Sequence, residues 1–193
     1  MFEIWGNMNN LSQNEQLRFK RYLTHIDDGN TIPFVPVSYP LWEGFLEKCE
    51  VAVLTFKYFC YENSPKVTIN QLENALKDFI HFKEKLLISL SPTGYDYNLS
   101  KDIKIPITAS RAVLKSAVKK AKIFYSEEIG SSYFTYSSPD THLVWFEDTL
   151  SLSKKHNLIK KYGYRGIYWE DAKGLFDGNW EALYEIYQKR ENK

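Results

Sequence analysis

The side chains of this chain best suited to chemistry are its rings. It carries 14 Tyr, 12 Phe and 5 Trp, so that 16% of its 193 residues are aromatic. An aromatic-rich core would use such rings as bulk. A saccharide cleft would use them differently: flat faces stack on the apolar faces of pyranose rings, while Tyr and Trp tips hydrogen-bond hydroxyls. Composition alone leaves both readings open. Rings stand beside carboxylates in Tyr95-Asp96 and in Trp145-Phe146-Glu147-Asp148. In the second run the plainer roles are a helix cap for Asp148 and a solvent-facing Glu147. Metal chemistry is not indicated. Cys49 and Cys60 flank an apolar run, where free Cys acts as a small hydrophobe, and the four His are scattered without a CxxC or His/Cys cluster. Neither a metal nor another cofactor is expected.

Charge and hydropathy narrow the classes further. With 25 basic against 24 acidic side chains the formal net charge is +1, and no basic stripe marks a nucleic-acid binder. Nothing approaches the ~18 consecutive apolar residues of a membrane span. The opening residues MFEIWGNMNN lack the basic and apolar regions of a signal peptide, so the chain as written reads as soluble and not exported. Its length suits one domain, residues 1–193, with a sizeable core.

The elements that must position the rings follow from periodicity. Ser12-Gln13-Asn14-Glu15 has the form of a capping box and opens a helix with Phe19, Tyr22, Leu23 and Ile26 on one face. The run Ile32-Pro33-Phe34-Val35-Pro36-Val37 is apolar, and its prolines suit a strand only where a ladder is interrupted. A short helix is expected over residues 40–48. Val51-Ala52-Val53-Leu54-Thr55-Phe56 reads as a strand buried on both faces. A second capping box starts at Thr68, and Ile69, Leu72, Leu76, Phe79 and Ile80 then recur at helical spacing. The next buried strand runs from Leu86 to Leu90. Residues 110–122 read as a helix through Val113, Ala117 and Ala121, and residues 122–147 alternate like a small antiparallel insertion. Asp148 caps a helix that Gly163 ends; Arg165-Gly166-Ile167-Tyr168-Trp169 is a last strand, and Trp180, Leu183, Tyr184 and Tyr187 mark a final helix. Helix and buried strand thus alternate four times, which predicts βα units around a parallel sheet.

Five segments, in order, resemble family 18 glycoside hydrolases, in particular the chitinase-like group of spore-wall and peptidoglycan N-acetylglucosaminidases. Glu84-Lys85-Leu86-Leu87-Ile88-Ser89-Leu90-Ser91-Pro92-Thr93-Gly94-Tyr95-Asp96-Tyr97 resembles the seventh-strand string EKILLGIPLYGYDW. Ile107-Thr108-Ala109-Ser110-Arg111-Ala112 resembles the helix start that follows it. His142-Leu143-Val144-Trp145-Phe146-Glu147-Asp148 is similar to HEVWFED, and Lys160-Lys161-Tyr162-Gly163-Tyr164-Arg165-Gly166-Ile167-Tyr168-Trp169 to the eighth-strand string KKYGLRGISYW. Asn179-Trp180 resembles the NW of the last helix. Upstream, Val53-Leu54-Thr55-Phe56-Lys57-Tyr58 sits where the sixth strand carries an LMTYD-like motif. The fold this implies is α/β: an incomplete (β/α)8 TIM barrel comprising about strands 5–8 and their helices, plus the antiparallel insertion near 122–147.

The resemblance also implies a chemistry: cleavage of β-1,4 links beside N-acetylglucosamine. A Glu acts as general acid while the substrate's acetamido oxygen attacks the anomeric carbon. The family's DxxDxDxE strand, which supplies that acid, occurs nowhere in the chain. Glu3 falls at the acid's place, with Met1 where the last Asp should be. Phe56 matches the acetamide-binding Tyr without its hydroxyl, Lys57 reverses the charge of an Asp, and Thr93 replaces a Tyr. Carried over as substrate-binding candidates are Trp169 as the floor under the acetamido sugar, with Tyr95, Asp96, Phe56, Trp145 and Glu147 as floor and wall. The expected ligand is an amino-sugar oligosaccharide or peptidoglycan, held by a protein inactive on its own. The alternatives are an amino-sugar binding module, or one half of a two-chain glycosidase. Four βα units leave sheet edges open, which invites a partner chain or self-association to complete the barrel. Relatives of this kind would act at the spore or cell wall.

Overall fold

A computed structural model of the protein describes residues 34–36, 46–47, 49–56 and 63–171. The helices expected to open at Ser12 and to carry Trp180 through Tyr187, most of the one over 40–48, and Glu3, Lys57 and Cys60 lie outside the described residues. The element order is β1 (Phe34–Pro36), β2 (Ala52–Thr55), α1 (Ile69–Asp78), β3 (Leu86–Leu90), β4 (Gly94–Asn98) and β5 (Ile103–Ile107). There follow α2 (Ala109–Val118), β6 (Phe124–Ser126), β7 (Ser131–Ser137), β8 (Thr141–Phe146), α3 (Thr149–Lys161) and β9 (Gly166–Trp169).

Two sheets organise these elements. The first is parallel, in the order β1-β2-β3-β9, as the alternation of helix and buried strand predicts. Among the described residues it does not close into a barrel. Its register pairs Leu54 with Ile88 and Val53 with Leu87, and then Ile88 with Ile167 and Leu90 with Trp169. Side chains alternate across a strand, so Ala52, Leu54, Phe56, Leu86, Ile88, Leu90, Ile167 and Trp169 share one face. That face packs on Leu72, Ala75 and Leu76 of α1 and Ile159 of α3. Burying Leu72 and Leu76, both fully enclosed, stabilises the sheet–helix contact by about 1.5–3 kcal/mol each. Val53, Thr55, Leu87, Ser89 and Tyr168 point the other way.

The local signals explain where α1 and α3 begin and end. Thr68 accepts from the Gln71 amide and Gln71 returns the bond, completing the capping box. Asp148 caps α3 by accepting from the Ser151 amide. Beyond α3, Gly163 takes φ +75°, a left-handed turn that suits glycine.

The second sheet is antiparallel and larger than the insertion expected over 122–147. It has five strands, in the order β5-β4-β8-β7-β6, because residues 94–107 form a hairpin that joins it. Gly94 is what lets that hairpin start close to its neighbour: a Cβ there would sit 2.2 Å from the Trp145 carbonyl oxygen. Helix α2 is shorter than expected and uses a different stripe. Its buried residues are Ala109, Ala112 and Ser116, while Val113 is 49% exposed. Small side chains let a helix lie close on a sheet but carry little hydrophobic signal, so the stronger Val113 spacing misled. Ile107, Phe134, Val144 and Phe146 complete this second core.

Candidate functional site

Parallel sheets present their functional surface at the carboxyl ends of the strands. Here those ends bring together Thr55 at the end of β2, Ser89 on β3, Thr93 beyond β3, and Glu170 and Asp171 just past β9. The Glu170 amide donates to the Leu90 carbonyl at 3.0 Å, extending the ladder by one residue. Its carboxylate then lies on the face turned away from the helices. It accepts from Ser89 Oγ and pairs with the Lys66 ammonium, and Thr55 Oγ1 stands 3.5 Å away. Thr93 Oγ1 donates to Asp171 Oδ2 at 2.8 Å. This polar knot, centred on Glu170, was not among the expected site residues.

Its signal was nevertheless present. The eighth-strand string KKYGLRGISYW has one residue more between Ile and Trp than Gly166-Ile167-Tyr168-Trp169. With side chains alternating every residue, a one-residue difference turns the ring to the opposite face. Trp169 accordingly packs with the helix-side core and against Leu152 of α3, and Glu170 takes the inward place. Trp169, expected as the cleft floor, is thus placed by the structure against the helix-side core. Phe56 moves with it: it is 2% exposed within the same helix-side core.

Beside the strand ends, one face of the antiparallel sheet is paved with rings. Tyr95 pairs with Trp145, Trp145 with Tyr133 and Tyr133 with Phe124, one ring per strand across four strands. Ring centres lie 4.8 Å apart for Tyr133–Trp145 and 5.7 Å for Phe124–Tyr133, within the range of favourable aromatic pairs. Lys104 Nζ sits 3.8 Å from the centre of the Tyr95 ring. Segment 63–66 runs against this face. The Trp145 indole N–H donates to the Asn63 carbonyl at 2.9 Å, and the Tyr97 hydroxyl to the Ser64 carbonyl at 2.5 Å. Lys66, at the end of the same segment, reaches Glu170. The structure thus brings Tyr95 and Trp145 together and links their face to the strand-end knot.

Asp96 and Glu147 belong elsewhere. Asp96 neighbours Tyr95 in β4, so it faces the other side of the sheet, toward α2. It is 2% exposed and accepts from Lys115 at 2.5 Å and Tyr136 at 3.0 Å, with His142 Nδ1 at 2.7 Å. Burial pushes its pKa up, but the Lys115 and His142 bonds and the Lys115 charge prevail, and the net shift is down. Burial likewise opposes the charge of Lys115, yet Asp96 raises its pKa overall. Glu147 is not solvent-facing: it is 3% exposed and accepts from Lys155 of α3 at 2.6 Å and Ser131 at 2.8 Å. Both carboxylates hold the sheet to its helices instead of lining a cleft. Among the described residues no group of three or more His, Cys, Asp or Glu could hold a metal, and no helix is long and apolar enough to cross a membrane.

Comparison with known proteins places this geometry. No protein-family model matches the chain. The cortical fragment-lytic enzyme of Bacillus cereus is 33% identical over 112 residues, covering 54% of this chain and 26% of the enzyme. That of Bacillus subtilis is 27% identical over 147 residues, covering 69% of this chain and 33% of the enzyme. The chain therefore spans about a third or less of the curated relatives it matches. A chitinase from Chromobacterium violaceum superposes with a TM-score of 0.76 at 16% identity, over 90% of this chain and 62% of that one. The resemblance read from the five segments is borne out: the chain is similar to the cortical fragment-lytic enzymes of Bacillus and has a chitinase-like α/β fold.

Proposed function

We propose that this chain is a family 18 glycoside hydrolase-like protein that holds β-1,4-linked N-acetylglucosamine polymers, peptidoglycan or chitin, and does not cleave them on its own. In this reading the parallel sheet corresponds to strands 5–8 of a (β/α)8 barrel. The observation that carries it is the row Tyr95–Trp145–Tyr133 beside the carboxyl ends of the parallel strands. Half-buried Tyr95 and Tyr133 offer ring faces of the kind that stack on pyranose rings. The names of the relatives support the polymer class, since cortical fragment-lytic enzymes and chitinases act on such glycans by their names. The absence of hydrolysis rests on chemistry. The 193 residues contain no DxxDxDxE strand, and the strand-end Glu170 is engaged as an acceptor by Lys66 and Ser89. A general acid instead needs a carboxyl free to deliver its proton to the leaving group.

Isothermal titration with N-acetylglucosamine hexamer tests the binding. We expect measurable heat with the native chain and an affinity about tenfold lower in Tyr95→Ala, as stacking energies of this size imply. No heat at millimolar oligomer removes the reading.

A further inference from the structure

Resting on that reading, we propose that Glu170 is the positioning residue of the aromatic row: by holding Lys66 it fixes segment 63–66, whose carbonyls seat Trp145 and Tyr97. The chain of contacts is continuous. Ser89 and Thr55, on two strands of the parallel sheet, face the Glu170 carboxylate and hold it in place. Lys66 binds the other carboxylate oxygen. Pro65, next to it, is buried, so the segment is pinned on both sides of that residue. Ser64 and Asn63 then present their carbonyls to Tyr97 and Trp145. Asn63 takes φ +57°, an uncommon value for a residue with a side chain, tolerated by Asn better than by most residues. The bend aims its carbonyl at the indole.

Glu170 therefore acts at a distance, through one ammonium and a short peptide segment, on Trp145, the buried ring between Tyr95 and Tyr133. An ion pair with 17% and 18% exposure of its two side chains is shielded enough to hold a segment, where a fully exposed pair would contribute little. The one-residue difference in the eighth strand is what makes this possible, because it delivers a carboxylate to the face where the family string places a ring.

The test reads the Trp145 indole N–H by nitrogen–proton correlation spectroscopy, with the signal assigned from Trp145→Phe. In Glu170→Gln and, separately, in Lys66→Gln, the signal should shift and its exchange with water should quicken about tenfold, the scale of one charge-assisted bond. Lys66→Gln leaves Glu170 its hydroxyl partners and serves if Glu170→Gln does not fold. The exchanged pair Lys66→Glu with Glu170→Lys should restore the native signal, which a merely structural role for Glu170 would not. Hexamer affinity should fall about tenfold in the single variants and recover in the exchanged pair. An unmoved indole signal in Lys66→Gln overturns the proposal. If the signal moves while the native chain binds no oligomer, the positioning role stands and the saccharide reading falls.

Discussion

Two adjacent side chains at the end of β9 divide the labour of the molecule. Trp169 is half-buried against Leu152 and the helix-side core, whereas Glu170 faces the strand-end knot. Their substitutions should separate. Trp169→Ala should lower unfolding stability in urea by about 2–3 kcal/mol, below the about 3–5 kcal/mol of buried aromatic truncations because the ring is only partly enclosed. Its hexamer affinity should match that of the native chain. A Trp169→Ala protein of native stability that loses sugar binding would return the ring to the cleft. At this scale the sequence was partly legible. Tyr95 and Trp145, both ring candidates from sequence, are cross-strand partners. Reading Tyr95 and Asp96 as one wall overlooked the two-residue period of a strand. The shift of Trp169 was visible as one missing residue in a quoted string. Lys66 was not visible, because a loop lysine finds a carboxylate 104 positions away only once the sheet exists.

At the scale of elements, two buried polar networks hold helices to the antiparallel sheet. Lys155 of α3 is 1% exposed and pairs with Glu147 beyond β8. Breaking such a pair leaves a charge without its partner in the interior. Glu147→Gln should cost about 3–5 kcal/mol, while Glu147→Leu with Lys155→Leu should come out near neutral; chemical unfolding of both variants decides it. The α2 network answers to pH. Asp96 has a folded pKa below its unfolded value, so its contribution is complete above about pH 4 and fades as pH falls through the folded value. Lys115, raised in the fold, contributes below about pH 10 and loses its share as pH rises through its folded value. Urea midpoints of the native chain and Asp96→Asn should therefore differ clearly near pH 6 and draw together as pH falls through the folded pKa of Asp96. A gap independent of pH would show that Asp96 acts through packing alone. Most boundaries of these elements could be read from sequence, since capping residues and continuous apolar runs are local signals. The 94–107 hairpin was missed although Ile103, Ile105 and Ile107 alternate in β5: the run is short, and Pro106 argues against a strand except at a sheet edge, which is where β5 lies.

At the scale of the whole molecule, a parallel sheet backed by helices stands beside an antiparallel sheet faced with rings. Helix α3 touches both, through Leu152 and Trp169 on one side and Lys155 and Glu147 on the other. Segment 63–66 also bridges them, through Asn63 to Trp145 and Lys66 to Glu170. In the proposed function the ring row is the stacking surface and segment 63–66 its mount. Binding without hydrolysis is the central claim of that proposal. The most direct measurement incubates the native 193-residue chain with N-acetylglucosamine hexamer, recording titration heat and, by mass spectrometry, any shortened oligomers. Heat at millimolar ligand or below with the hexamer intact after prolonged incubation is the predicted result. Shortened products that disappear when Glu170 or Glu3 is changed to Gln would contradict it.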